Sequence, residues 1–269
     1  MSVHSVSLIG KRPQNEDKHI TIVNIEGDNT ELANINYYAV YDGHGGKFVS
    51  KFLYDNLHKC FIDRRVQYPL KKGFVKKIYD HWQKILKTEY KHYATNTGST
   101  CLVVAHYRIN ECDFLNILNT GDSRCVLCRN NIAIPLTKDN KPHWPEESAR
   151  IKKLGGQIIK DGYDDWRICD LSVSRAFGDI SAEPYVICTP DYYKYKLNEN
   201  DKFIIIACDG LWDVMSNQDA VNFVLDLCFD ISTGKIINEN FNVAKRLADY
   251  AINEKNSTDN VTIIVAFLT

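Results

Sequence analysis

Residues 37–52 read YYAVYDGHGGKFVSKF. Tyr38–Tyr41 has the composition of a strand, Asp42–Gly46 that of a tight turn, and Phe48, Phe52 and Leu57 recur about once per helical turn. A turn between strand and helix needs glycine, which reaches positive φ without steric cost. It needs neither the aspartate nor the histidine that Asp42 and His44 supply.

Other strand-like runs end the same way. Asp209 follows FIIIAC at 203–208, Asp122 follows FLNILNTG at 114–121, Asp259 shortly precedes VTIIVAFL at 261–268, and Glu16 and Asp17 lie between the first two strand candidates. A single aspartate at a strand end is an ordinary turn former. Several together make an oxygen-rich set suited to hard divalent cations such as Mg²⁺ or Mn²⁺. Two such ions can serve in-line attack on phosphorus. Arg12, four residues before Glu16, has the forked guanidinium that grips phosphate, and His44 is a candidate proton donor.

Period-two patterns place further strands at 3–9, 20–25, 101–107, 114–119, 124–129, 132–135, 157–160, 192–197 and 202–207. Helices are expected at 47–61, 71–93, 146–154, 218–230 and 243–254. In the second, Phe74, Ile78, Trp82 and Ile85 mark the apolar face; in the fourth, Ser216 and Asp219 form a capping pair. Strands dominate the middle and helices come in pairs around them. That order does not fit β-α-β alternation and favours a two-sheet sandwich covered by helices.

The chain has 269 residues, 44% of them hydrophobic and 25% charged, and carries a net charge of −1. Without linker or repeat, a single domain over 1–269 is expected, and the near-neutral balance argues against a nucleic-acid footprint. The lysines at 71, 72, 76 and 77 read as the solvated face of a helix. No apolar run approaches a membrane span, no secretory leader opens the chain, and Ser2 is not the glycine that myristoylation requires. Nine cysteines lack zinc-type spacing. Cys125 and Cys128, in one strand, should point to opposite faces as reduced structural thiols, which places the protein in the cytoplasm or also the nucleus.

Taken in order, KRPQNED at 11–17, VYDGHGG at 40–46, GSTC at 98–101, NTGDSR at 119–124, LTKDNKP at 136–142, RIKKLGG at 150–156, LSVSRAFGD at 171–179, TPD at 189–191, ACDGLWDV at 207–214 and STDNVTIIV at 257–265 match one family. The chain resembles the metal-dependent type 2C serine/threonine protein phosphatases from end to end. The resemblance implies an α+β fold of four layers, α-β-β-α, with a central antiparallel β-sandwich flanked by pairs of helices. It implies two Mg²⁺ or Mn²⁺ ions in a cleft at one end of the sheets, with a weaker third.

Carried over by position, Asp42 bridges both ions, Glu16 and the Gly43 carbonyl serve one, and Asp209 and Asp259 serve the other. Asp17 acts through water, and Asp122, Asp209 and Asp213 match the third site. Arg12 holds the phosphate and His44 protonates the departing serine or threonine oxygen of a phosphorylated protein. Residues 161–179 match a flap beside the cleft, in which Arg175 is either a charge for substrate or a structural ion pair. Three positions depart from the common pattern: Asn140 for His, Cys208 for Ser and Cys101 for Ala. A pseudophosphatase that binds phosphoproteins or a kinase without catalysis is the alternative. Such proteins lose metal ligands, and here every expected carboxylate is present. A nuclease or small-phosphoester phosphatase is a further rival, and the charge balance disfavours the former.

Overall fold

The computed structural model describes every residue except 1, 26–31, 64, 163–164, 231–232, 234–235, 238–240 and 269; two positions of the expected flap, 163 and 164, thus lie outside the described residues. Two five-stranded antiparallel sheets form its centre. One runs in the order β1 (Val3–Leu8), β15 (Val261–Phe267), β14 (Asp201–Ala207), β8 (Arg124–Arg129) and β9 (Ile132–Pro135). The other runs β13 (Asp191–Lys196), β7 (Cys112–Thr120), β6 (Cys101–Ile109), β3 (Leu32–Tyr41) and β2 (Lys18–Ile25). A small sheet joins β12 (Phe177–Gly178), β5 (Gly98–Ser99) and β4 (Gly43–His44), and β10 (Ile159–Lys160) pairs with β11 (Trp166–Arg167).

The layers follow from alternation along each strand. On β14, Phe203, Ile205 and Ala207 pack under α6 (Asp209–Trp212), α7 (Asn217–Cys228) and α8 (Val243–Asn253). Ile204 and Ile206 face the opposite way, into a core shared with Tyr38 and Val40 of β3. On β3, Tyr37, Ala39 and Tyr41 pack under α1 (Phe48–Asn56), α2 (Lys59–Ile62) and α3 (Lys72–Thr88). The runs Phe203–Ala207 of β14 and Tyr37–Tyr41 of β3 are therefore continuously apolar because both of their faces are covered. Full burial of one such side chain contributes about 1.5–3 kcal/mol. The same alternation puts Cys125 between the sheets and Cys128 beneath the helices, as the spacing predicts.

Helix boundaries differ from expectation for local reasons. The predicted helix at 47–61 breaks into α1 and α2. At the break, Asn56 Nδ2 donates to the Phe52 carbonyl at 2.9 Å and competes for the backbone acceptor. The one at 71–93 breaks into α3 and α4 (Lys91–Ala94), where Tyr90 leaves helical geometry at φ −120°. Its buried face is also turned by one residue: Val75, Tyr79, Gln83 and Leu86 face the core, and Phe74 is exposed. Polar Gln83 hides that stripe in the sequence. α5 (Pro145–Lys153) and the Ser216 cap of α7 form where expected; Ser216 Oγ accepts from Asp219 N at 3.1 Å, worth about 1 kcal/mol.

Candidate active site

Antiparallel pairing brings the C-terminal ends of β3, β7 and β14 to the same edge as the starts of β2 and β15. Asp42, Asp122, Asp209, Asp259 and Glu16 therefore meet there, with Arg12, Gly43 and His44, around a cleft of about 490 Å³. Asp17 lies beneath the floor, 2% exposed. Asp213, the residue just past α6, is exposed at the margin of the cleft; its backbone N–H donates to the Asp209 carbonyl at 2.8 Å, and its charge acts on Asp209 and is felt with that of Asp122.

The floor gathers like charge. Seclusion in the cleft, then the nearby Asp17, Asp209 and Asp122, push the Asp42 carboxyl well above its ordinary pKa. Asp209 is raised by seclusion and by Asp122 and Asp213, with Lys141 opposing. Asp17 is pushed up to about 6 by burial, although Thr262, Cys208 and Asp42 donate or share hydrogen bonds that partly offset it. Thr262 Oγ1 donates to Asp17 Oδ2 at 2.7 Å, while Asp17 Oδ1 is buried with no hydrogen-bond partner among the described residues. A buried carboxylate oxygen without a donor costs free energy that a cation or its bound water recovers. Oxygen donors of Asp42 and Asp209 lie within 4.8 Å of each other and of the Cys208 sulfur. This donor set fits a hard divalent cation.

The rim is held by a few specific bonds. Asp42 N donates to Thr100 Oγ1 at 3.1 Å, and Thr100 N donates to the Asp42 carbonyl at 2.8 Å. Glu16 Oε2 accepts from Gly46 N at 3.1 Å. Gly43 must be glycine, because a Cβ there would lie 2.5 Å from the Glu16 carbonyl oxygen. Arg12 Nη2 pairs with Asp259 Oδ2 at 2.7 Å, both side chains being well exposed. His44 Nε2 lies 2.7 Å from Asp179 Oδ2. Burial opposes a charge on His44, but the hydrogen bond and charge of Asp179, with Asp122 and Glu16, lift its pKa above the ordinary value.

Three residues of this site escape a reading by motif position. Asn260 Oδ1 accepts from Glu16 N at 2.8 Å, and its Nδ2 donates to the carbonyls of Ile9 and Gln14, which ties the Arg12 loop to the start of β15. Lys141 Nζ donates to Asp122 Oδ2 at 2.5 Å and places the chain's own cation beside the acidic floor. Asp179 is the third. All three lie inside quoted motifs, yet nothing in a linear sequence states whom they face.

Arg175 lies elsewhere than a flap charge beside the substrate would. Its guanidinium binds Glu147 Oε1 at 2.6 Å and Asp191 Oδ1 at 2.9 Å, and it does not line the cleft. The ion pair is what Arg175 makes; among the described residues of 161–179, Arg167, Asp170, Leu171, Ser172 and Val173 line the wall. Arg167 is itself held by Asp161 at 2.5 Å. Of the departures, Asn140 Oδ1 accepts from Gly121 N and its Nδ2 donates to Asp191, each at 2.9 Å, so it braces the loop before Asp122. Cys101 and Cys208 are fully buried, which removes them from ready oxidation.

Residues 1–261 match the family described as Protein phosphatase 2C. A PP2C-like domain-containing protein of Acanthamoeba polyphaga mimivirus is 46% identical over 168 residues, 57% of this chain and 93% of that protein. Probable protein phosphatase 2C 69 of Arabidopsis thaliana is 36% identical over 97% of this chain and 69% of its own length. A phosphatase structure from Toxoplasma gondii superposes with a TM-score of 0.80 at 24% identity, covering 98% of this chain and 92% of that one, which speaks to the fold. The chain belongs to the protein phosphatase 2C family, the metal-dependent serine/threonine protein phosphatases.

Proposed function

We propose that this cleft hydrolyses phosphoserine and phosphothreonine of proteins by direct attack of water, through a centre of two Mg²⁺ or Mn²⁺ ions. The observation that carries the proposal is the acidic floor, where Asp42 and Asp209 meet and the buried Asp17 keeps an unpartnered oxygen. When bound, such a pair of ions neutralises phosphate charge and makes water a nucleophile near neutral pH. Asp42 would serve both ions, with Glu16 and the Gly43 carbonyl on one and Asp209 and Asp259 on the other, all of them lining the cleft. Asp17 acts through water, and Asp122, with Asp209 and Asp213, is the set for a weaker third ion. Arg12 has the reach to hold phosphate from the rim, since its 54% exposed side chain can leave Asp259 at little cost. His44 carries the proton for the departing oxygen.

The same reading takes residues 1–269 as one catalytic domain working as a monomer in the cytosol or nucleus, off membranes and nucleic acid. Nine unpaired thiols and a net charge of −1 support it, and among the described residues no helix is long and apolar enough to cross a membrane. Asp42→Asn should abolish phosphate release from a phosphothreonine peptide, as should a chelator with the unaltered protein. Full activity of the variant overturns the proposal, and folded, metal-replete protein that binds the peptide without releasing phosphate favours the binding-module alternative. His44→Gln should slow the peptide about 10²-fold or more, and an aryl phosphate far less, because a phenolate leaves without protonation.

A further inference from the structure

We propose that Asp179 is the positioning residue for His44, holding the imidazole through Nε2 so that Nδ1 is the nitrogen presented to the departing oxygen. The inference rests on the reading of His44 as the proton donor. The two residues are 135 positions apart, and the small sheet brings them together. In it β5 is the middle strand: Gly98 pairs with His44 on one side and with Gly178 on the other. His44 lines the cleft, and its Nε2 is taken by Asp179 at 2.7 Å.

The surroundings are built around this pair. Gly98 does not have the positive φ that calls for glycine, so its missing side chain answers a demand for space. A Cβ at Gly98 would fall 2.1 Å from Asp179 Oδ2 and 2.4 Å from His44 Nε2. Asp179 itself is 2% exposed and sits at φ 45°, ψ 44°, a left-handed conformation that aspartate and asparagine tolerate better than most residues. Its N–H donates to the Thr97 carbonyl at 3.1 Å. The residue before it is clamped by a pair of bonds: Gly178 N donates to Gln83 Oε1, and Gln83 Nε2 donates to the Gly178 carbonyl, both at 2.9 Å. This explains why α3 buries a glutamine in its core-facing stripe. A buried carboxylate needs a hydrogen-bonding partner, and His44 is the side chain that Asp179 reaches. The chain thus spends a glycine, a left-handed aspartate and a buried glutamine on the placement of one ring.

A structural staple between β4 and β12 would have the same contacts, so the test must read leaving-group dependence. Asp179→Asn keeps the shape and the tolerance for left-handed backbone. The ratio of turnover on a phosphothreonine peptide to turnover on an aryl phosphate should fall about tenfold or more in this variant, because only the alkoxide needs the proton. In a His44→Gln background the same substitution should change that ratio less than about twofold, since it acts through His44. Gly98→Ala, which retains both side chains and displaces them, is the second variant and should shift the ratio in the same direction. An unchanged ratio in folded Asp179→Asn or Gly98→Ala, or a further full loss on top of His44→Gln, overturns the proposal. If His44→Gln itself slows both substrates equally, the acid role of His44 fails first. If His44→Gln is selective and Asp179→Asn is not, only the positioning role fails.

Discussion

The two ends of β14 carry aspartates with opposite surroundings. Asp201, at its first position, is fully buried and receives two bonds from one guanidinium, Arg129 Nε at 2.6 Å and Nη2 at 3.0 Å, as well as Asn198 N at 2.8 Å. Asp209, just past the other end, is half-buried at the cleft and faces Asp42, Asp122 and Asp213, with Lys141 as the nearby cation that the chain supplies. At Asp201 the chain completes the ion pair itself, and the carboxylate belongs to the architecture. At Asp209 the gathered carboxylates outnumber the nearby cation of the chain, which is the imbalance that the proposed metal centre would relieve. A carboxylate at a strand end is therefore read by its partner, not by its position.

The largest expected effect tests the open end. If Asp209 holds an ion as proposed, Asp209→Asn should lower turnover on a phosphopeptide about 10³-fold or more, because positive charge worth several kcal/mol at the transition state would lose a ligand. In chelator the same variant should melt no lower than the unaltered protein, since one like charge has gone from the floor. A variant that is active, or that is destabilised in chelator, would break the contrast.

The closed end should respond in the opposite sense. Asp201→Ala should cost about 3 kcal/mol of stability in denaturant titration, the lower end of the range for a broken buried pair because Arg129 keeps access to water. Its turnover per folded molecule should match that of the unaltered protein. A loss of turnover with intact stability would erase the distinction between the two ends.

A smaller effect sharpens the comparison through pH. Asp17, Asp42 and Asp209 have pKa values raised in the folded state, Asp17 to about 6. Between the ordinary carboxylate range near 4 and those raised values, the folded protein holds protons that the unfolded chain has released, so stability falls as pH rises. His19, His58 and His106, whose pKa values burial lowers, act in the opposite sense over the same range, so the floor is read as a difference between two proteins. From pH 5 to pH 7 the metal-free protein should lose melting temperature relative to metal-free Asp42→Asn, and added Mg²⁺ or Mn²⁺ should restore the loss at pH 7 by binding the folded state. Melting temperatures of the two that move in parallel from pH 5 to pH 7 would show that the floor is not strained by its own charge.

Most strands were legible because each carries its own evidence. Ile204 and Ile206 alternate with Phe203 and Ile205, and two-sided burial turns that alternation into an apolar run whichever sheet the strand joins. Ser216 was legible as a cap because its partner, Asp219, is three residues away. The buried face of α3 is not legible in the sequence, because Gln83 looks solvent-facing until Gly178 is placed beside it. Arg175 was open between substrate charge and ion pair because Glu147 and Asp191 approach it from two separate segments.

The sequence by itself determined most of the long strands, the Ser216 cap and the set of carboxylates that end at one edge, since period and turn chemistry act over a few neighbouring residues. It marked Asp42 and His44 as surplus to the turn that holds them. Only the tertiary structure decided which charges meet: Arg129 with Asp201, Lys141 with Asp122, and His44 with Asp179 across 135 residues. The physical reason is range. A hydrogen bond or ion pair acts over about 3 Å in space, and sequence separation says nothing of that distance until the sheets have aligned their ends.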